Sequence, residues 1–325
     1  MTAEKILVTG GFGAIGSWVT RLLVEDGHDV TVFSRRRDLR LLPEMGDAVQ
    51  HVAGSILDRE TIDRALATSS IDRVIHCAAA LSSSAEKDPR LAYETNVIGS
   101  LNIFEAARDA GIGRVVYTST KGVYGRLPAE HGPPQFAPIH EGVEGTPMHV
   151  YGASKKALEA AADHCRRLWG LEIIALRLGS TFGPGKGGQH AGYAGLKAQI
   201  VDAALAGRHL RIDNADVADD VVYNADVGRG HVLAAFAPPS TDGVFNIASG
   251  QLTTLRAWAE EVMRQCPDHR LEFGDHDETK IASATQGVMD IQRARRELGY
   301  EPAFPGVSGV ADYVTRERAV RGGLV

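Results

Sequence analysis

Cysteine is scarce in this chain: Cys77, Cys165 and Cys266 are the only three among 325 residues. They form no Cys-x-x-Cys pair and have no histidine at zinc-finger spacing, so neither a disulfide framework nor a metal site is expected. No apolar run reaches membrane-spanning length, and nothing predicts a transmembrane helix. A strand pattern begins within about five residues of Met1, which leaves no room for a signal peptide and makes the cytoplasm the expected location. Basic tracts long enough to follow a nucleic-acid backbone are also missing, and the net charge of −6 is spread along the chain. Nucleic acid and membrane are therefore not expected partners, and a small-molecule substrate is.

Apolar residues make up 44% and charged residues 23%, the proportions of an ordinary globular protein. At 325 residues the chain exceeds a typical single domain, which predicts one large domain with a smaller appendage. Strand-like runs (KILVT, DVTVF, VQHVA, RVIHCA, RVVYTS, EIIALR) alternate with helical stretches at 14–26, 59–68, about 91–110 and 151–169. Short apolar strands separated by helices predict an α/β fold with a doubly wound parallel sheet. The large domain is expected over 1–183, with the strand near 243–249 rejoining its sheet. A smaller lobe is expected over 184–242 and 250–325.

The run VTGGFGAIG places Gly11, Gly13 and Gly16 in G-x-G-x-x-G, and Gly10, Gly13 and Gly16 in the related T-G-x-x-G-x-x-G, between a strand and an amphipathic helix. Glycine suits such a turn because the backbone must adopt unusual angles, approach a pyrophosphate and bring the helix close to the sheet. The helix N-terminus then offers free N–H groups to phosphates. Dinucleotide binding follows. About twenty residues on, an acid would hold the adenosine ribose of NAD, but Ser34, Arg35 and Arg36 stand there. A hydroxyl and a guanidinium accept a 2′-phosphate that a carboxylate repels, so NADP is expected over NAD.

In YGASK, Tyr151 and Lys155 lie four residues apart on one helix face. A tyrosine has an ordinary pKa of about 10, and a neighbouring ammonium is expected to favour its phenolate, which can take a proton from a substrate hydroxyl. Just upstream, VVYTST presents Ser119 and Thr120 as hydroxyl donors for the reacting oxygen.

With VTGGFGAIG, VIHCAAA, NVIGSLNIFEAA, VVYTSTKGVYG, YGASK, LRLGSTFGPG, DVGRGHVLA and GVFNIASG in order along nearly the whole chain, the sequence resembles the extended short-chain dehydrogenases/reductases, also called the NAD-dependent epimerase/dehydratase family. The resemblance implies a Rossmann-type sheet with a C-terminal substrate-binding lobe. It implies that Thr120 contacts the reacting oxygen, Tyr151 is the acid/base, and Lys155 binds the nicotinamide ribose and lowers the tyrosine pKa. Ala14 and Ile15 would meet the pyrophosphate, Ser55 and Ile56 the adenine, and Cys77, Ala78, Ala79 and Leu178 would line the cofactor, with Asn96 beneath the site. A homodimer through the helices near 91–110 and 151–169 is implied, and apolar Leu101 and Phe104 either serve its contact or pack inward.

Departures from the family narrow the reaction. Lys121 and Gly122 replace the Asp and Glu of the nucleotide-sugar dehydratases, which disfavours water elimination. Ser180 replaces a usual Asn, and Asp219 and Asp220 occupy the place where an Arg–Asp pair would grip a diphosphate. An acid there repels a diphosphate, so a nucleotide sugar is disfavoured unless Arg208 or Arg211 compensates. Lys121 either faces the substrate, where it would bind a carboxylate or other electron-rich group, or reaches into solvent. His131, His140, His149 and His190 read as loop residues, GPGKGG fails the P-loop pattern, and no G-x-S-x-G elbow is present. The expected function is an NAD(P)-dependent oxidoreductase acting on a secondary alcohol or carbonyl of a sugar-like or carboxylate-bearing substrate. The alternative is an epimerase using the same residues, and a non-catalytic dinucleotide-binding protein is the third reading.

Overall fold

The computed structural model describes residues 3–186, 192–239 and 243–322. Among them twelve strands occur: β1 (Lys5–Thr9), β2 (Asp29–Ser34), β3 (Val49–Ala53), β4 (Arg73–His76), β5 (Arg114–Thr120), β6 (Glu172–Leu178), β7 (Ser180–Phe182), β8 (Leu210–Ile212), β9 (Ala218–Tyr223), β10 (Gly243–Ile247), β11 (Leu252–Thr254) and β12 (Leu271–Phe273). Seven of them form one parallel sheet in the order β3-β2-β1-β4-β5-β6-β10. The order reverses between β1 and β4, and a doubly wound sheet binds its ligands at the carboxyl ends of the strands flanking such a switch. The other five strands form two small sheets, β11-β9-β7 and β12-β8.

Strands such as β5, buried at nearly every position, need helices on both faces of the sheet. On one face, Leu158, Ala162 and Cys165 of helix Val150–Trp169 pack with Val115 and Tyr117 of β5. On the other, Val227, Val232 and Ala235 of helix Asn224–Phe236 pack with Val116, Ile174 and Leu176. This second helix lies within 184–242, the stretch expected in the lobe, yet it covers the main sheet because that face would otherwise be bare. Ala294, Leu298 and Tyr300 join the same core. The lobe has its own core, centred on Phe182, Ile200, Trp258 and Tyr313.

The stretch expected as one helix near 91–110 is divided: Pro89–Tyr93, a wider π turn over Glu94–Ile98, and Gly99–Asp109. Phe104 does not face a partner. It is fully buried against Tyr117, with ring centroids 5.5 Å apart, and Leu101 is partly buried on the same core. The exposed apolar residues of this stretch are Leu91, Tyr93 and Ile98.

Candidate active site

The turn after β1 is built for a close approach. Gly10 adopts φ +67°, and a Cβ on Gly16 would lie 2.2 Å from the Gly10 carbonyl oxygen, a backbone atom that cannot step aside. Helix Gly16–Glu25 starts at Ile15 without a side-chain cap, with Gly13 exposed and Ala14 and Ile15 partly so. Backbone N–H groups at such a start are free to receive an anion. The cradle therefore fits a dinucleotide pyrophosphate.

Around it the polar groups are locked. Thr9 Oγ1 lies 2.6 Å from His76 Nδ1, His76 Nε2 lies 2.9 Å from Ser100 Oγ, and Ser100 donates to Asn96 O. Burial, and after it the charge of Lys155, pushes His76 down to about 3, so the ring is neutral and serves one donor and one acceptor. Thr9 Oγ1 also accepts from Ala78 N, and Asn96 is wholly buried, accepting from Ala80 N and donating to Ala80 O and Ser154 Oγ. These bonds fix the Cys77–Ala79 segment beside the glycine turn. Burial raises the Cys77 thiol to about 12, which leaves it an inert wall group.

At the far rim, Ser34 Oγ donates to Arg36 O and lies 3.1 Å from His51 Nε2. Arg35 and Arg36 are exposed and, among the described residues, make no side-chain hydrogen bond or ion pair. Ser55 Oγ accepts from Leu57 N, while Ile56 is buried with its carbonyl receiving Asn102 Nδ2.

The reacting end lies where β5 and β6 finish, with Thr120 paired in register to buried Leu178. Helix Val150–Trp169 docks its first turn on the tight turn Lys121–Val123: a Cβ on Gly152 would come 2.4 Å from Gly122 O. Tyr151 precedes Gly152 in that turn, and Thr120 Oγ1 accepts from Gly122 N on the other side of the contact. Lys155, one turn on, is 1% exposed and donates to Thr118 O at 2.9 Å, while Thr118 Oγ1 bonds His231 Nε2 at 2.8 Å.

Two expectations change here. Ser119 is not a donor to a reacting oxygen: its hydroxyl is buried and donates to Glu159, which is itself paired with Arg177. Alternation along β5 explains this, since successive side chains leave opposite faces of the sheet. Nor is the tyrosine's phenolate favoured by its surroundings. Burial lifts Tyr151 to about 12, and burial lowers Lys155 to about 8, so desolvation outweighs the helix-spaced ammonium in the protein alone.

Lys121 neither faces solvent freely nor stands unpaired: its Nζ donates to the buried carboxylate of Asp219. Asp220 is enclosed by four donors, Ser249 N, Ser249 Oγ, Gly250 N and Met289 N, and burial raises it to about 6. It is a structural knot. Arg211 cannot compensate, because it is held on the surface by Asp213, Glu272 and Asp275, and Arg208 is exposed. Ser180 Oγ accepts from Lys197 Nζ at 2.8 Å, and Lys197 is 1% exposed. Lys197 is a residue that sequence reasoning missed. Its signal is a single charge inside the otherwise uncharged run GLKAQIV.

The histidines divide likewise: His131 is buried and bonded to Ala137 O, His140 and His149 are exposed, and His190 lies outside the described residues. No group of three His, Cys, Asp or Glu suited to a metal occurs among the described residues, nor does any helix long and apolar enough to cross a membrane. A pocket of about 260 Å³ is lined by Ser17, Trp18, Arg21 and Arg316, but by neither Thr120 nor Tyr151. Chemistry, not hollow size, locates the site.

The model of the NAD-dependent epimerase/dehydratase family matches residues 6–248. UDP-glucose 4-epimerase of Mycolicibacterium smegmatis is 31% identical over 95% of this chain and 97% of its own length. That of Halalkalibacterium halodurans is 27% identical over 95% and 93%. Among solved structures, UDP-glucose 4-epimerase of Thermus thermophilus in complex with NAD superposes with a TM-score of 0.80 at 27% identity, covering 97% of this chain and 99% of that one. The Thermotoga maritima enzyme with UDP-glucose gives 0.82 at 26%, covering 99% and 100%. The chain belongs to the NAD-dependent epimerase/dehydratase family, within the extended short-chain dehydrogenases/reductases, and is an enzyme of that family.

Proposed function

We propose that this enzyme is an epimerase that oxidises a hydroxyl-bearing carbon of a sugar-like substrate and re-reduces it on the opposite face. The observation that carries the reading is the docking of Gly152 on Gly122, which gathers Thr120, Tyr151 and Lys155 at the strand ends beside the glycine turn. The UDP-glucose 4-epimerases related over nearly the full chain support it.

A bound nicotinamide would supply the two-electron acceptor and donor. Gly10, Gly16, Ala14 and Ile15 would hold the pyrophosphate, Lys155 the nicotinamide ribose, and Cys77–Ala79 and Leu178 the wall. Thr120 Oγ1 orients the substrate oxygen, and Tyr151 takes its proton on oxidation and returns it on reduction. Because burial makes Tyr151 a weak acid, it depends on added positive charge to release its proton, and Lys155 stands one turn away to share it.

The objection to a nucleotide sugar weakens in three dimensions. Asp219 does not present a bare negative charge, since Lys121 neutralises it, and Lys197 adds a cation close by. A second reading, net oxidation or reduction, is favoured by the free Arg35 and Arg36 at the cofactor rim. One assay separates the two: incubation of the purified protein with UDP-glucose, with product sugar identified and absorbance followed at 340 nm. Interconversion without net absorbance change is expected, and stoichiometric NADH or NADPH formation overturns the epimerase reading.

A further inference from the structure

Lys186 belongs to GPGKGG, the segment that fails the P-loop pattern, and no part of the proposed chemistry uses it. It is 8% exposed, yet its ammonium has no hydrogen bond or ion pair among the described residues. A buried, unpaired ammonium is costly to hold. Proteins retain such groups where a ligand completes them.

Its surroundings are cationic. Lys186 follows Gly185, which packs against Leu41 and Ala14 of the glycine-turn region, and it lies near enough to Lys197 to disfavour that residue's charge, as does Lys121. Ser180, the acceptor of Lys197, is on β7, two residues beyond Leu178 at the end of β6. With Lys121 cancelled by Asp219 and Asp220 satisfied by its four donors, Lys186 and Lys197 leave an excess of positive charge in the corner that Gly185 packs onto the glycine-turn region. Burial lowers both to about 8, which still leaves each mostly protonated at neutral pH.

We propose that Lys186, backed by the Lys197–Ser180 pair, is the clamp for an oxyanion carried by the substrate, a phosphate-type or carboxylate group. The inference rests on the epimerase-site reading for its location, since Thr120 and Tyr151 mark the reacting carbon. It accounts for the acid at Asp219: with the grip supplied by Lys186 and Lys197, position 219 is released to anchor Lys121.

The test is calorimetric titration of NAD-saturated protein, whose glycine turn is thereby occupied, with pyrophosphate and separately with malonate. At least one anion is expected to bind, and Lys186→Met to weaken it tenfold or more, while Arg208→Met leaves it unchanged. Tighter binding of pyrophosphate assigns a phosphate-type group and tighter binding of malonate a carboxylate; equal binding supports the shared oxyanion chemistry. Absence of binding to the wild type, survival of binding in Lys186→Met, or its loss in Arg208→Met overturns the proposal. If Lys186→Met does not melt cooperatively, Lys197→Met is judged by the same criteria. No turnover enters this titration, so its result and that of the epimerase assay fail independently.

Discussion

On the glycine-turn side of the cleft, His76 is held between Thr9 and Ser100, and Lys155 is tied to Thr118. On the lobe side, Lys186 is buried almost as deeply and is bonded to nothing among the described residues. Both sides remove polar groups from water, but the first satisfies them internally and the second leaves a charge for a ligand to complete. The first arrangement gives rigid geometry for a common cofactor. The second sacrifices stability for recognition, and recognition is what differs between relatives sharing a reaction.

The largest expected effect comes from removing the one group on the rigid side that moves a proton. Tyr151→Phe should lower turnover by about 10² to 10⁴, the range of general acid–base catalysis, with dinucleotide affinity unchanged. Steady-state rates beside a fluorescence titration check this, and near-normal turnover would remove Tyr151 from its role.

Next is the cost of burying ammonium charge. Lys155, Lys186 and Lys197 each have a folded-state pKa near 8 against an ordinary 10.5. Between those values the unfolded chain holds more protons than the folded one, so stability rises with pH across the window. Lys186→Met abolishes one of these contributions. The variant should melt above the wild type at pH 7, and the gap should narrow by pH 9.5 as the wild-type ammonium is neutralised. Scanning calorimetry showing a gap independent of pH would mean that Lys186 is already compensated.

The smallest effect concerns the exposed rim. The sequence expectation of NADP rests on Ser34, Arg35 and Arg36, whereas a related structure holds NAD. With no carboxylate at Ser34 and no side-chain partner for Arg35 or Arg36 among the described residues, this rim excludes neither cofactor. NADH and NADPH should then bind within tenfold of each other, about 1.4 kcal/mol. A tenfold or greater preference for NADPH would restore the arginines as a phosphate grip.

Much of this molecule was legible in its sequence because its signals are local. The period of the strands and helices, the T-G-x-x-G-x-x-G turn and the Tyr151–Lys155 spacing each act within one or two elements, and each recurs in the fold. Ser119 was misplaced because the pleat of β5 sends it and Thr120 to opposite faces, and only the packed fold shows that Glu159 waits on the Ser119 face. Phe104 stood open between a dimer contact and inward packing, and the fold decides for the core, because an apolar residue on a helix does not declare which neighbour buries it.

By itself the sequence determined the parallel doubly wound sheet and the glycine turn after its first strand, since backbone periodicity and short-range spacing specify them. Tertiary structure alone decided that Lys121 is spent on Asp219, 98 residues away, that Asp220 is a knot, and that Lys186 and Lys197 share one charged corner. Coulombic pairing and desolvation depend on distance in space, and the chain brings those groups together only after β7, β9 and the lobe have packed.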